Sequence, residues 1–285
     1  MTAVQLHVVT SRGPVPLEPP GGAAAVHEVL DDLPQGVYSG LRTFGHVHFL
    51  RLDLHLARTR RCARASGWPD FDEHALRAAL HATCAAWPEP DARVRFDVLA
   101  EPTRFGASSG RALIVLSPFV APPAAFLREG VGVEIAHGLQ RERPEIKTSD
   151  FVLRRRPFPL GTQAAFEHLL LDQAGRILEG TSSNFFGLRD GTLFSAGEGV
   201  LDGVTRRIVL ELADALGLPA REEAVVASAA GELDEAFLTS STRALVPIVS
   251  VAGARVGDGS PGPTFRRLLA EYEAYAAREA RPALE

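Results

Sequence analysis

Lysine is nearly missing from this sequence: of its 30 basic side chains, Lys147 alone is not an arginine. Cysteine is scarce too. The two present, Cys62 and Cys84, have neither CxxC spacing nor the density of a disulfide scaffold, and both read as structural thiols. No apolar run approaches the roughly 18 residues that a membrane span needs, and the opening MTAVQLHVVTSRGPVPLEPP lacks the basic start and apolar stretch of a secretory leader. Cytoplasmic residence without a membrane partner is the resulting expectation. Basic excess is also absent. A formal charge of −5 and a pI near 6.0 argue against a nucleic-acid surface, despite the short runs Arg60-Arg61 and Arg154-Arg155-Arg156. His46 and His48 would share a strand face, but two histidines without a third ligand do not make a metal site, so none is expected.

What is present suffices for a large core. With 46% hydrophobic residues in 285, the chain is long enough for two domains. Apolar or alternating runs at 37–44, 46–52, 93–99 and 112–116 predict strands. Asp70 to Glu73 resembles a capping box that opens a helix with Leu76, Leu80, Cys84 and Trp87 on one face. The proline-rich SPFVAPP at 117–123 reads as a linker. Beyond it, strands at 131–137, 168–171 and 235–239, a hairpin at 185–194 turning on Asp190-Gly191, and helices at about 204–216 and around Phe265–Tyr272 complete a second mixed unit. The expected fold class is α/β, with a smaller N-terminal domain at 1–118 and a larger C-terminal domain at 119–285.

A chain that has exchanged its other lysines for arginine should keep one where a guanidinium fails. Schiff-base chemistry is such a place, because an amine can lose its proton and attack a carbonyl whereas arginine stays protonated. Lys147 lies in PEIKTSDF. Glu179 follows the strand-like LLLDQAGRILEG, with Gly180 beside it permitting close backbone approach. In LDGVTRRIVLELADALG, Gly203, Val204 and Thr205 open a helix whose free N–H groups favour an anion, and the hydroxyl run Thr239-Ser240-Ser241-Thr242 could add donors. An amine, an acid for a pyridine nitrogen and anchors for a phosphate are what a pyridoxal 5'-phosphate site requires.

The order of these pieces resembles the class IV, or fold type IV, pyridoxal-phosphate enzymes: branched-chain and D-amino-acid aminotransferases and 4-amino-4-deoxychorismate lyases. GVYSGLRTFGHVHFLRLDLHLARTRRCA looks like the family's opening strand pair and arginine helix, IKTSDF like its lysine segment, LEGTSSNFFGLRDGTLF like its glutamate segment, and LDGVTRRIV and FLTSSTRALVPI like its phosphate loops. The resemblance covers about 36–250. It implies a cofactor in the cleft between two domains and a homodimer. Residue by residue it implies Lys147 as the catalytic, cofactor-bearing lysine, Glu179 as the pyridine partner, and Arg58, Val204, Thr205 and Ser241 as phosphate ligands, with Thr242 and Asn184 also in the cofactor site. His55, one turn before Arg58, reads as a packing or hydrogen-bonding residue.

The chain departs from the family pattern where some members carry a threonine-arginine-glycine turn that clamps the substrate carboxylate; here it reads Leu99-Ala100-Glu101. Arg243 is the expected substitute clamp, and Tyr38 an expected lining residue of the substrate pocket. Another departure is Phe151, four residues after the lysine, where some branched-chain enzymes place a nearby tyrosine. The implied activity is amino transfer between an amino acid, branched-chain or similar, and a 2-oxo acid. A lyase that releases pyruvate from 4-amino-4-deoxychorismate shares the same opening chemistry and stays open, as does, further off, a non-catalytic binder on this fold. A cofactor-free Schiff-base enzyme would not need the phosphate anchors.

Overall fold

The structure, a computed structural model, describes residues 4–17, 33–105, 108–159 and 161–284; of the opening twenty residues, 1–3 and 18–20 lie outside these. It divides into two units. The first comprises Met1–Val120, Ile146–Leu153 and Ala276–Glu285, and the second Ala121–Glu145 and Arg154–Tyr275.

In the first unit, β1 (Gln5–Thr10), β2 (Gly13–Leu17), β3 (Gly36–Arg42), β5 (Ala92–Phe105) and β6 (Ser108–Pro118) form an antiparallel sheet in the order β2-β1-β6-β5-β3. Short β4 (His48–Leu50) pairs with β17 (Ala280–Pro282) at the end of the chain. Strand alternation sends Leu41, Val94, Phe96, Ile114 and Leu116 to one face, where α1 (Leu52–Ala65) and α2 (Glu73–Ala85) bury Leu52, Leu56, Leu76, Leu80, Cys84 and Trp87 against them. The other face carries Tyr38, Arg95 and Asp97. Segment 146–153, which includes Lys147 and the start of α4 (Asp150–Arg154), runs beside β3: Tyr38 N–H donates to the Lys147 carbonyl at 3.0 Å, and Ser149 N–H donates to Gly36 at 2.8 Å.

In the second unit, α3 (Ala124–Glu129) leads into β7 (Val131–Ile135), followed by β8 (Glu167–Leu171), β9 (Arg176–Gly180), β10 (Asn184–Arg189), β11 (Thr192–Phe194), α5 (Val204–Ala215), β12 (Ala220–Arg221), β13 (Val225–Val226), β14 (Glu235–Ser240), β15 (Ala244–Val251), β16 (Ala254–Arg255) and α6 (Pro263–Glu279). The order is β12-β11-β10-β14-β15-β7-β8-β9-β13, and a further β9–β10 pairing closes the six strands from β10 to β9 on themselves. Each of the six contributes to one buried cluster: Val131 and Val133, Leu169, Ile177, Phe185, Ala236 and Leu238, Val246 and Ile248. This is the interior of the closed sheet. Outside it, Phe186 stacks on Phe237 at 5.0 Å, and Glu235 accepts from the first N–H groups of α6, at Thr264 (2.9 Å) and Phe265 (2.7 Å).

Several expectations need correction. The linear boundary at 118/119 does not describe the Lys147 segment, because its backbone bonds to β3 place it with the N-terminal sheet. The strand expected at 46–52 is β4 only. His46 sits before it in a turn at φ 57°, so the two histidines share no strand face; among the described residues no cluster of three metal-ligating side chains occurs. Asp70 does not cap α2. Its carboxylate accepts from Arg60 and Arg64, and the cap is Asp72, which accepts from Ala75 N–H at 2.9 Å. We predict that Asp72→Ala lowers unfolding free energy by about 1 kcal/mol in urea melts, whereas a loss no larger than that of a neutral surface change would contradict the cap assignment.

Candidate active site

Tyr38, Arg58 and Lys147 lie in the first unit. The Lys147 ammonium is 4.8 Å from the centre of the Tyr38 ring, and the Arg95 guanidinium is 3.9 Å from the same centre. Arg95 is forked onto the fully buried Asp97 through two bonds of 2.7 and 2.5 Å. On α1, Arg58 is buried and its Nη2 donates to Ser39 Oγ at 3.1 Å, while Ser39 Oγ lies 3.1 Å from Thr59 Oγ1. His55 Nδ1 is 3.4 Å from the same Arg58 nitrogen. A guanidinium only donates, so Nδ1 is the acceptor and the ring is neutral. Burial, the Arg58 charge and the Lys147 charge all hold the His55 pKa well below its usual 6.5. Its expected role as a hydrogen-bonding residue matches this contact.

Glu179, Asn184, Val204, Thr205, Ser241, Thr242 and Arg243 lie in the second unit. A β-bulge aims Glu179. Leu170 pairs with Glu179 and Leu171 with Ile177, so Leu178 is the extra residue and the alternation resets: Ile177 faces the closed sheet's interior and Glu179 faces out. The Glu179 side chain is buried and accepts through Oε2 from Leu201 N–H at 3.1 Å and from Asn184 Nδ2 at 3.3 Å; Oε1 forms an ion pair with Arg141 Nε at 3.0 Å. Asn184 also donates to the Leu201 carbonyl at 3.0 Å. Three groups, from Arg141, Asn184 and Leu201, are thereby fixed around one carboxylate.

The start of α5 has no side-chain cap. Its N-cap is Gly203, where an added Cβ would run into Asn184 Oδ1, so this position excludes any side chain that could satisfy the free N–H groups. Buried Thr205 and Val204 follow, and Thr205 Oγ1 lies 3.2 Å from Ser241 Oγ. Thr242 is in the turn after β14. Two further buried hydroxyls, Thr239 Oγ1 and Ser183 Oγ, have no hydrogen-bond partner among the described residues; Thr239 pairs across the strands with Asn184.

Arg243, expected as a free clamp for a substrate carboxylate, is already engaged. Its Nη2 pairs with Glu167 Oε2 at 3.0 Å and donates to Ser182 Oγ at 2.8 Å, while Nε donates to Ser240 Oγ at 3.2 Å. Glu167 belongs to the interior side of the closed sheet, in phase with Leu169, and so lies across the sheet from Glu179. The Arg243 charge is thus matched. Arg141, Glu167, Arg95 and Asp97 escaped the sequence reading. Arg141 is one of many arginines, in the run QRERPE, and nothing in its spacing marks it.

Residues 36–251 match the amino-transferase class IV family. The chain is 30% identical over 257 residues to a probable branched-chain-amino-acid aminotransferase of Thermotoga maritima, covering 85% of this chain and 87% of that protein, and 26% identical over 240 residues to the D-alanine aminotransferase of Bacillus licheniformis, covering 82% and 84%. Its fold is similar to that of a T.th. branched-chain amino acid aminotransferase complexed with N-(5'-phosphopyridoxyl)-L-glutamate, with a TM-score of 0.79 at 20% identity over 100% and 97% of the two chains. It is also similar to the 4-amino-4-deoxychorismate lyase of Pseudomonas aeruginosa, with a TM-score of 0.70 at 25% identity over 85% and 90%. The matched span runs from before Tyr38 to beyond Arg243, and with it the chain belongs to the class IV aminotransferases, a family of pyridoxal-phosphate enzymes.

Proposed function

We propose that this class IV enzyme transfers an amino group between an amino acid, branched-chain or similar, and a 2-oxo acid, working as a cytoplasmic homodimer. The observation that carries the reading is the buried, out-facing Glu179 carboxylate held by Arg141, Asn184 and the Leu201 N–H, in a chain whose one lysine is Lys147. The branched-chain preference draws support from the T. maritima relative, and the homodimer from family resemblance.

The residues present suit pyridoxal phosphate. An uncapped helix start with two hydroxyls beside it is an anion cradle, and a carboxylate surrounded by donors stays ionised and can face a protonated pyridine nitrogen. When bound, the cofactor supplies an electron-poor ring that takes up the electron pair of the substrate's Cα–H bond. Lys147 would hold the cofactor and would carry the substrate's α-proton as acid and base. Glu179 would hold the proton on the ring nitrogen, and Arg141 and Asn184 orient its carboxylate. Arg58, the Val204 and Thr205 N–H groups and Ser241 would hold the phosphate, with Thr242 in the same turn as Ser241. Tyr38, against Lys147, lines the substrate side. We assign Arg243 no clamp role, because its Nη2 and Nε are already taken up by Glu167, Ser182 and Ser240.

A lyase that releases pyruvate from 4-amino-4-deoxychorismate is the second reading, supported by the similarity of the fold to the P. aeruginosa lyase. Stoichiometry separates the two. Protein loaded with the cofactor is expected to convert a branched-chain amino acid to its 2-oxo acid in an amount matching the enzyme, and to turn over only when a second 2-oxo acid is added. Pyruvate release from 4-amino-4-deoxychorismate without any acceptor, and no reaction with amino acids, would replace transfer by lysis.

A pH prediction follows from His55. Its folded pKa lies below 6.5, so the unfolded chain binds the proton more readily, and stability is lost as pH falls below 6.5 toward the folded value. Urea melts of the cofactor-free protein should therefore show a smaller drop between pH 7 and 5 for His55→Gln than for the unaltered chain. Equal drops would mean that His55 is not held neutral.

A further inference from the structure

Glu167 is a fully buried carboxylate at the start of β8, inside the closed sheet, and the proposed chemistry does not use it. Its two oxygens serve two different turns. Oε1 accepts from Ser182 N–H at 2.5 Å, from Ser182 Oγ at 3.0 Å and from Thr181 Oγ1 at 3.5 Å, in the turn that directly follows Glu179 and Gly180. Oε2 pairs with Arg243 at 3.0 Å, in the turn that carries Ser241. Arg243 closes the circuit by donating to Ser182 Oγ and Ser240 Oγ, and its guanidinium lies 5.3 Å from the Phe166 ring, which belongs to the interior cluster. Gly180 is part of the same arrangement, since an added Cβ there would meet Glu167 Oε1 and Ser183 Oγ.

A buried ion pair gains little net stability over apolar packing, but it fixes geometry, because either charge left alone is strongly disfavoured. Here the charge pair ties the strand end bearing Glu179 to the loop bearing Ser241, whose hydroxyl meets Thr205 at the head of α5. We infer that Glu167 and Arg243 are positioning residues that hold the ring-nitrogen carboxylate and the phosphate-binding loop in fixed register, so that a cofactor must present both its ring and its phosphate to be held tightly. This rests on the pyridoxal-phosphate reading above. It also gives Arg243 a role in place of the clamp.

The test compares two probes, pyridoxal phosphate and pyridoxal, which lacks the phosphate, in absorbance titrations of the cofactor-free protein. The unaltered chain should bind the phosphorylated probe far more tightly. Glu167→Gln should weaken binding of pyridoxal phosphate by about tenfold or more, as outer-shell carboxylates do at metal sites, while pyridoxal binding changes less, so the preference for the phosphorylated probe falls. Since the single change leaves Arg243 buried and unmatched, the double variant Glu167→Gln with Arg243→Gln is measured beside it. That variant has no unpaired charge and should show the same reduced preference. If both variants melt at lower temperature yet keep the full preference, the pair is only a plug in the sheet and the inference is overturned. If the unaltered chain takes up neither probe, the cofactor reading itself fails and the inference falls with it.

Discussion

A single cross-strand pair, Asn184 with Glu179, closes the second unit's sheet, and the candidate site depends on that closure. The bulge at Leu178 turns Glu179 out of the apolar interior just before the pair forms. Leu201 and Gly203, across the connection that leads into α5, then pack on the same two side chains. Strand pairing, carboxylate placement and helix start are therefore one constraint. A shift of register by one residue would send Glu179 into the core beside Ile177, where a carboxylate without its partners could not stay.

The bias toward arginine shows in the buried charges of each unit. Arg58, Arg95, Arg141 and Arg243 are each buried or nearly so, and each is held by a hydroxyl or a carboxylate: Ser39 for Arg58, Asp97 for Arg95, Glu179 for Arg141 and Glu167 for Arg243. A guanidinium cannot shed its proton, so each requires such a partner once buried. Lys147 differs. Its amine can exist uncharged, and the positive environment that keeps His55 neutral includes both Arg58 and Lys147.

Much of the architecture was legible in the sequence, and the failures have physical causes. The Asp190-Gly191 hairpin and the helix after Gly203 appear where turn chemistry and apolar spacing put them. β2 went unread because Pro14 and Pro16 interrupt any strand pattern; both are tolerated since β2 is an edge strand. The Lys147 segment read as part of the C-terminal domain because backbone pairing with β3, more than a hundred residues earlier, leaves no local trace. Glu179 stood out through its motif, whereas Arg141 and Glu167 did not, because an ion pair between distant residues is written in the fold and not in either residue's neighbours. Arg243 read as a clamp for a substrate carboxylate because its ion-pair partner Glu167 looks in sequence like an ordinary strand residue.

The central claim is that Lys147 covalently carries pyridoxal phosphate. The most direct measurement is to incubate the protein with the cofactor, reduce with borohydride, digest and locate the modified peptide by mass spectrometry. The account predicts a phosphopyridoxyl adduct on the peptide bearing Lys147 and its loss in Lys147→Ala. The chain has no second lysine to take its place. An adduct found only on the N-terminal amine, or none at all, would contradict the account.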